Sequence, residues 1–254
     1  MDKAVIKKFA IWARNKLIAD ITYKAGLLGV TANDIKNALP QSTKDAQFYD
    51  IGTKQPYVIH GEEINQRKKL IEEINKKAKQ LEYKEAFFNV IEEAAYTWFN
   101  RLIAVRFMEV NDYIPSHVRV LSSESPNKLE PDIVTAPFDA EMEFSQTETQ
   151  TIMQMKDEND VDGLFRFLFI KQCNALNEIL PNLFEKTSDY TELLLNVSIT
   201  DKEGIVYRLI HDIKEEDFNI RNIGEDGKPT GQVEIIGWMY QYYNTELKDD
   251  TFAK

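Results

Sequence analysis

The sequence is short of the residues that disulfide frameworks, metal centres and phosphate cradles require. Its one cysteine, Cys173, excludes an internal disulfide framework and suits a reducing cytoplasm. Three histidines, His60, His117 and His211, stand far apart, with no zinc-type spacing among themselves or with Cys173. Glycine is scarce, at ten residues, and nowhere forms GxGxxG, GxxxxGK[ST] or GxSxG. This argues against a dinucleotide fingerprint, a phosphate loop and a nucleophile elbow. Apolar runs such as Leu102–Val105 and Leu193–Leu195 fall far below the ~20 residues needed to span a bilayer. Met1–Ile11 carries lysines without a continuous apolar stretch followed by small residues, so it does not resemble a secretory signal. These features predict a cytoplasmic protein with no membrane contact.

What the chain does have is helical spacing. At 43% hydrophobic and 29% charged its composition is that of a globular domain, or two small ones. Ile6, Phe9, Ala10, Ala13, Leu17 and Ile21 predict a helix from Asp2, its N-cap, to near Lys24, with Gly26 as the stop. Thr31 with Asp34 predicts a capped short helix ending before Pro40. Gln41–His60 is expected to be a surface connection with at most one extended piece, Tyr57–Ile59. A charged helix follows over Gly61–Gln80, with Glu72/Lys76 and Glu73/Lys77 as i,i+4 pairs. Tyr83–Asp112 is expected to be a long helix with two adjoining apolar stripes. Further helices are expected at Thr147–Lys156 and Val161–Leu180, shorter helices or turns at Asp189–Asn196 and Ile205–Ile213, and a loop at Arg221–Gly231. Gln232–Asn244 is a last aromatic helix or strand. The fold class is therefore mainly α: a multi-helix domain with a long buried central helix and at most minor β. Residues 1–114 form a net basic helical sub-domain, 115–138 a linker, and 139–254 an acidic helical sub-domain.

The net charge of −11 is unevenly spread. Residues 1–120 hold 19 Lys and Arg against 15 Asp and Glu, and residues 121–254 hold 12 against 27. An acidic half repels phosphate, so any nucleic-acid contact should come from the first half. Two groups there qualify: Lys7, Lys8, Arg14 and Lys16 beside Trp12, and Arg67, Lys68, Lys69, Lys76, Lys77 and Lys79 on the charged helix. Interleaved Glu62, Glu63, Glu72 and Glu73 make a solvated ion-paired face the competing reading. Catalytic patterns are missing. Pro131-Asp132 has no nearby Glu-x-Lys, since Glu82-Tyr83-Lys84 precedes it and Glu246-Leu247-Lys248 lies far downstream, so a metal-dependent nuclease is not expected. Trp238, Tyr240, Tyr242 and Tyr243 can stack on bases but are expected to pack a core. Ala95–Tyr113 is apolar almost all round yet contains Arg101, Arg106 and Glu109. Buried arginines need partners, so Arg101 and Arg106 are expected to be buried clamps, with Glu109 (i+3 from Arg106) and a carboxylate from another helix as their partners.

Seven stretches together carry a family resemblance: KFAIWARNKLI (Lys8–Ile18), ALPQSTKDAQFYDIG (Ala38–Gly52), EINQRKKLI (Glu63–Ile71), AYTWFNRLIAVRFMEVNDY (Ala95–Tyr113), RVLSSES (Arg119–Ser125), LFIKQCNALNEILPNLFEK (Leu168–Lys186) and EIIGWMYQYYN (Glu234–Asn244). In this order they resemble the N-terminal region of the PglX family, the adenine-specific DNA methyltransferases of BREX phage-defence systems. The resemblance implies a parent several times longer, using S-adenosylmethionine and an Asn-Pro-Pro-Tyr motif that holds a flipped adenine. This chain has no adjacent prolines and no Phe-x-Gly-x-Gly, so no catalytic, cofactor or metal residue carries over. The expectation is a non-catalytic N-terminal fragment leading toward a methyltransferase domain. It would scaffold that domain and contact double-stranded DNA or other BREX proteins. The rival is a protein-interaction domain that never meets DNA.

Overall fold

The computed structural model describes residues 2–125, 128–181, 183–184 and 189–245. Helices dominate, and the sheet among the described residues is a single antiparallel hairpin. The chain divides into two compact units. One comprises Met1–Asn15, Phe99–Lys186 and Val197–Lys254, the other Lys16–Trp98 and Thr187–Asn196. The two longest helices, α1 (Lys3–Leu27) and α3 (Tyr83–Val110), contribute residues to both.

Helix α1 buries Ile6, Phe9, Ala10, Ala13, Leu17, Ile21 and Ala25, the stripe set by its spacing. Asp2 caps it, its carboxylate accepting the Ala4 N–H at 2.9 Å. The stop lies three residues beyond the expected Gly26. Gly29 sits at φ 67°, its N–H donates to Gly26 O at 3.0 Å and the Val30 N–H donates to Ala25 O at 2.9 Å. That pair of bonds is a Schellman cap, and glycine takes the left-handed position without a Cβ clash. The short helix expected at Thr31 does not form. Thr31 Oγ1 accepts the N–H groups of Asn33 and Asp34, the Thr31 N–H donates back to Asp34 O at 2.9 Å, and Val30 bridges Ile35. The backbone groups a helix would use are already bonded in a turn.

In the unit containing Lys16–Trp98, strands β1 (Ala46–Tyr49) and β2 (Tyr57–His60) pair with Ala46 opposite His60 and Tyr49 opposite Tyr57. Only β2 was expected. Its partner AQFY is too short for alternation to show. Helix α2 (Glu62–Lys77) buries Leu70 and Ile74 and packs on α7 (Asp189–Leu194). The expected pairs of α2 shift: Lys76 meets Glu73 at 3.3 Å, and Lys77 reaches across to Glu93 of α3 at 2.8 Å. Trp98 is fully buried, its indole N–H donating to Thr191 O at 2.8 Å.

In the other unit, every residue of α3 from Arg101 onward is buried. The helix ends in a second Schellman cap, with Asp112 at φ 57° and the Tyr113 N–H on Met108 O at 2.8 Å. The short helix α4 (Asp132–Thr135) buries Ile133 and Val134, and a 3-10 turn follows at Pro137–Ala140. Helix α5 (Gln146–Asp157) opens on a reciprocal Ser145–Glu148 capping box. Helix α6 (Val161–Leu176) buries Leu164, Phe165, Leu168, Phe169 and Cys173 and ends four residues before the expected Leu180. Helices α8 (Ile205–Asp212), α9 (Glu215–Phe218) and α10 (Glu234–Tyr243) complete the unit. Within Gln232–Asn244 the helix α10 forms, and of its aromatics Tyr243 is buried, 4.4 Å from the Phe99 ring, whereas Trp238, Tyr240 and Tyr242 are half-exposed, with Lys3 Nζ 4.0 Å over Trp238.

Candidate functional site

Two constellations stand out, one exposed and basic, one buried and ionic. The basic one is on α2. At about 100° per residue, Lys68, Lys69 and Lys76 share one arc opposite Leu70 and Ile74. All three are exposed, as is Lys79 just past the helix end. Glu72 lies within the same arc and is exposed too. Lys77 is half-buried, and its hydrogen bond to Glu93 raises its pKa against burial. Arg67 faces inward and is 8% exposed. Its Nε donates to Leu28 O and its Nη2 to Lys36 O, each at 2.7 Å, while the guanidinium stacks 4.0 Å over Tyr49. Burial lowers the Arg67 pKa, and burial raises that of Tyr49. Arg67 thus ties the loop after α1 to α2. Of the first-helix group, Lys7 and Lys8 are exposed, Arg14 is buried, and Lys16 pairs with Asp20 at 2.8 Å.

The buried constellation explains Arg106. Its Nη1 donates to Glu109 Oε1 at 2.7 Å and to Ser122 Oγ at 3.0 Å, and its Nη2 donates to Glu215 Oε2 at 3.0 Å. Glu109 also accepts the Ser122 hydroxyl at 2.9 Å and the backbone N–H groups of Val120 and Leu121 at 2.8 Å each. Arg119 grips Glu215 with both Nη atoms, at 2.7 and 3.0 Å. The Arg119 bond holds the Glu215 carboxyl below its usual range against burial, and Arg106 adds to the effect. The second carboxylate expected for Arg106 is therefore Glu215 of α9. Nothing in the sequence singled out Glu215, Arg119 or Ser122: the Glu215 contacts span about a hundred residues of chain, and Ser122 joins from a loop after α3 that carries no periodic pattern. The cluster joins α3, the Arg119–Ser122 segment and α9, with its charges matched and its carboxylates spent on donors.

Neither constellation offers reaction chemistry. His60 is exposed at the end of β2, His117 bonds Asp112 at 2.6 Å, and His211 stacks on Tyr207 at 3.8 Å. Asp132 accepts the Ser123 hydroxyl at 2.6 Å and the Glu124 N–H at 2.9 Å. Glu246-Leu247-Lys248 lies outside the described residues. Among the described residues no group of His, Cys, Asp or Glu could hold a metal ion, and no helix is long and apolar enough to cross a membrane. Nucleoside cofactors sit at the carboxyl ends of parallel strands in doubly wound folds, and an antiparallel hairpin provides no such crevice.

No family model matches the chain. Comparison with curated proteins is decisive instead. All of the chain is 46% identical to 20% of an adenine-specific methyltransferase PglX of Lacticaseibacillus casei (strain Zhang). The chain matches the N-terminal region of PglX. A second relative, the adenine-specific methyltransferase BrxX of Escherichia coli O9:H4 (strain HS), is 32% identical over 98% of the chain and 19% of its own length. The chain therefore spans about one fifth of the length of these PglX-type relatives.

Proposed function

We propose that the chain is a non-catalytic N-terminal helical domain of a BREX-type adenine-specific DNA methyltransferase. It scaffolds the catalytic domain, contacts double-stranded DNA through exposed lysines, and presents its acidic remainder to other proteins of the defence system in the cytoplasm. The observation that carries this reading is the match of the entire chain to only a fifth of PglX. Base extrusion, cofactor binding and methyl transfer to the adenine amino group belong to the parent's remaining length, where S-adenosylmethionine is expected to bind. Lysines without base-reading partners position a duplex through its phosphates and read no sequence. Titration of the 254-residue chain with S-adenosylmethionine should give no saturable binding. A one-to-one isotherm would refute the non-catalytic assignment.

A second reading, a protein-interaction domain without DNA contact, draws support from charge. The unit that holds α2 carries 12 Lys and Arg against 14 Asp and Glu, and Glu72 sits within the lysine arc. Charge reversal of those lysines in the full-length methyltransferase separates the two readings: weakened DNA binding belongs to the first, unchanged DNA binding to the second.

A further inference from the structure

We infer that the outward face of α10 packs against the remaining length of the parent methyltransferase, with an apolar ridge of that partner seated over Gly237. The inference rests on the scaffolding half of the preceding reading and names the surface that does the scaffolding.

Helix α10 buries Ile235, Met239 and Tyr243. At about 100° per residue the opposite face carries Val233, Gly237, Gln241 and Asn244, flanked by Trp238 on one side and by Ile236 and Tyr240 on the other. Val233 is 54% exposed, Gly237 is exposed, and Ile236, Trp238 and Tyr240 are half-exposed. From Val233 to Asn244 the single charged residue is Glu234. A helix face that stays in water normally carries charge, as α2 does. An aromatic face with almost no charge has the composition of an interface centre. Lys3 Nζ lies over the Trp238 ring, which puts a charge at the rim, where interfaces carry theirs.

Gly237 supplies the independent sign. It lies within α10, its φ is not positive, and a Cβ placed on it would meet nothing within 4 Å. Neither backbone conformation nor packing among the described residues requires a glycine there. A glycine inside a helix costs stability relative to alanine, because it has more backbone freedom to lose on folding. What the bare position permits is close approach of another element, here into a notch walled by Val233, Trp238 and Tyr240. About four fifths of the length of the PglX-type relatives lies outside the stretch this chain matches, and that length supplies the occupant. Permanent interfaces are more apolar than transient ones. An uncharged aromatic face therefore suits the parent's own chain, and the charged faces suit separable partners.

The test places a thiol on this face with Val233→Cys and follows its alkylation by mass spectrometry, in the 254-residue chain and in the full-length methyltransferase. Labelling should be at least about tenfold slower in the full-length protein, where it waits on opening of a packed face. Gly237→Leu fills the notch. It should leave the melting temperature of the 254-residue chain unchanged or higher, yet restore fast labelling in the full-length protein. Gly237→Ala should raise that melting temperature by about 2 °C. Equal labelling of the two proteins would overturn the proposal, as would protection that survives Gly237→Leu. Protection lost on dilution would assign the face to a second copy, and protection that needs another defence protein would assign it to that protein; either result overturns the proposal too. Hydrogen exchange over all 254 residues separates the failures. Slowing elsewhere with α10 unchanged would sink this surface alone, and no slowing anywhere would sink the scaffolding reading itself.

Discussion

Replacing Glu109 with glutamine tests whether the buried cluster holds its unit together. The substitution keeps shape and volume, so no cavity term enters. Glu109 accepts four hydrogen bonds, from Arg106, Ser122 and the Val120 and Leu121 N–H groups. Arg106 and the two backbone groups can only donate; the serine hydroxyl alone can turn around. The glutamine oxygen can serve one side of this set, and its NH2 must then face donors on the other. Arg106, 1% exposed, also loses its nearest counter-charge. Breaking a buried, hydrogen-bonded pair from one side costs about 3–5 kcal/mol, a large share of the stability of an ordinary domain. Arg106→Met should cost less, about 2–3 kcal/mol, because Glu109 keeps three donors and Glu215 keeps Arg119. Urea unfolding followed by far-ultraviolet circular dichroism reads both as midpoint shifts at constant slope. A loss below about 1 kcal/mol for Glu109→Gln, or a larger loss for Arg106→Met, would mean that the cluster does not hold its unit together through Glu109.

Two glycines three positions apart should respond in opposite directions. Gly29→Ala forces a side chain into φ 67°, with its Cβ 3.1 Å from Lys36 Cβ, and should destabilise by about 1–2 kcal/mol. Gly26→Ala meets nothing within 4 Å on the last turn of α1 and should stabilise by about 0.5–1 kcal/mol; thermal melts of both variants check the pair. Glu215 has a depressed folded-state pKa, so its contribution is present above the unfolded value near ~4.3. It is lost as pH falls through the folded pKa. Glu215→Gln should therefore flatten the acid limb of a stability–pH profile, and an unchanged limb would count against the Arg119–Glu215 bond. Arg67→Met removes two carbonyl partners of the loop after α1 and should increase amide exchange over residues 28–36.

Apolar periodicity made the helices legible because burial of one face is what holds each of them. The stripe of α1 and the all-round burial of Arg101–Val110 follow directly from residue spacing. Local polar chemistry was harder to read. Thr31 with Asp34 has the look of a helix cap, yet the same hydroxyl serves a turn equally well, and the Val30–Ile35 bridge decides between them. Arg67 looked like one basic residue among six, but its one-position offset from Lys68 turns it from the solvent face to the interior. Spacing named Glu109 as a partner of Arg106 because they share a helix turn. It left Glu215 and Arg119 unnamed, because partners brought together by tertiary folding leave no local trace.

We propose that this domain meets DNA through its phosphates and reads no base. Reversing Lys68, Lys69, Lys76 and Lys79 to glutamate in the full-length methyltransferase, and measuring DNA affinity across a salt series, tests it most directly. Each lysine on a phosphate contributes about 0.9 to the slope of log affinity against log salt. Phosphate contact by these lysines predicts weaker binding to every duplex sequence alike and a slope reduced by up to about 3.6. A slope and affinity unchanged by the reversal would contradict it and leave the interaction-domain reading standing.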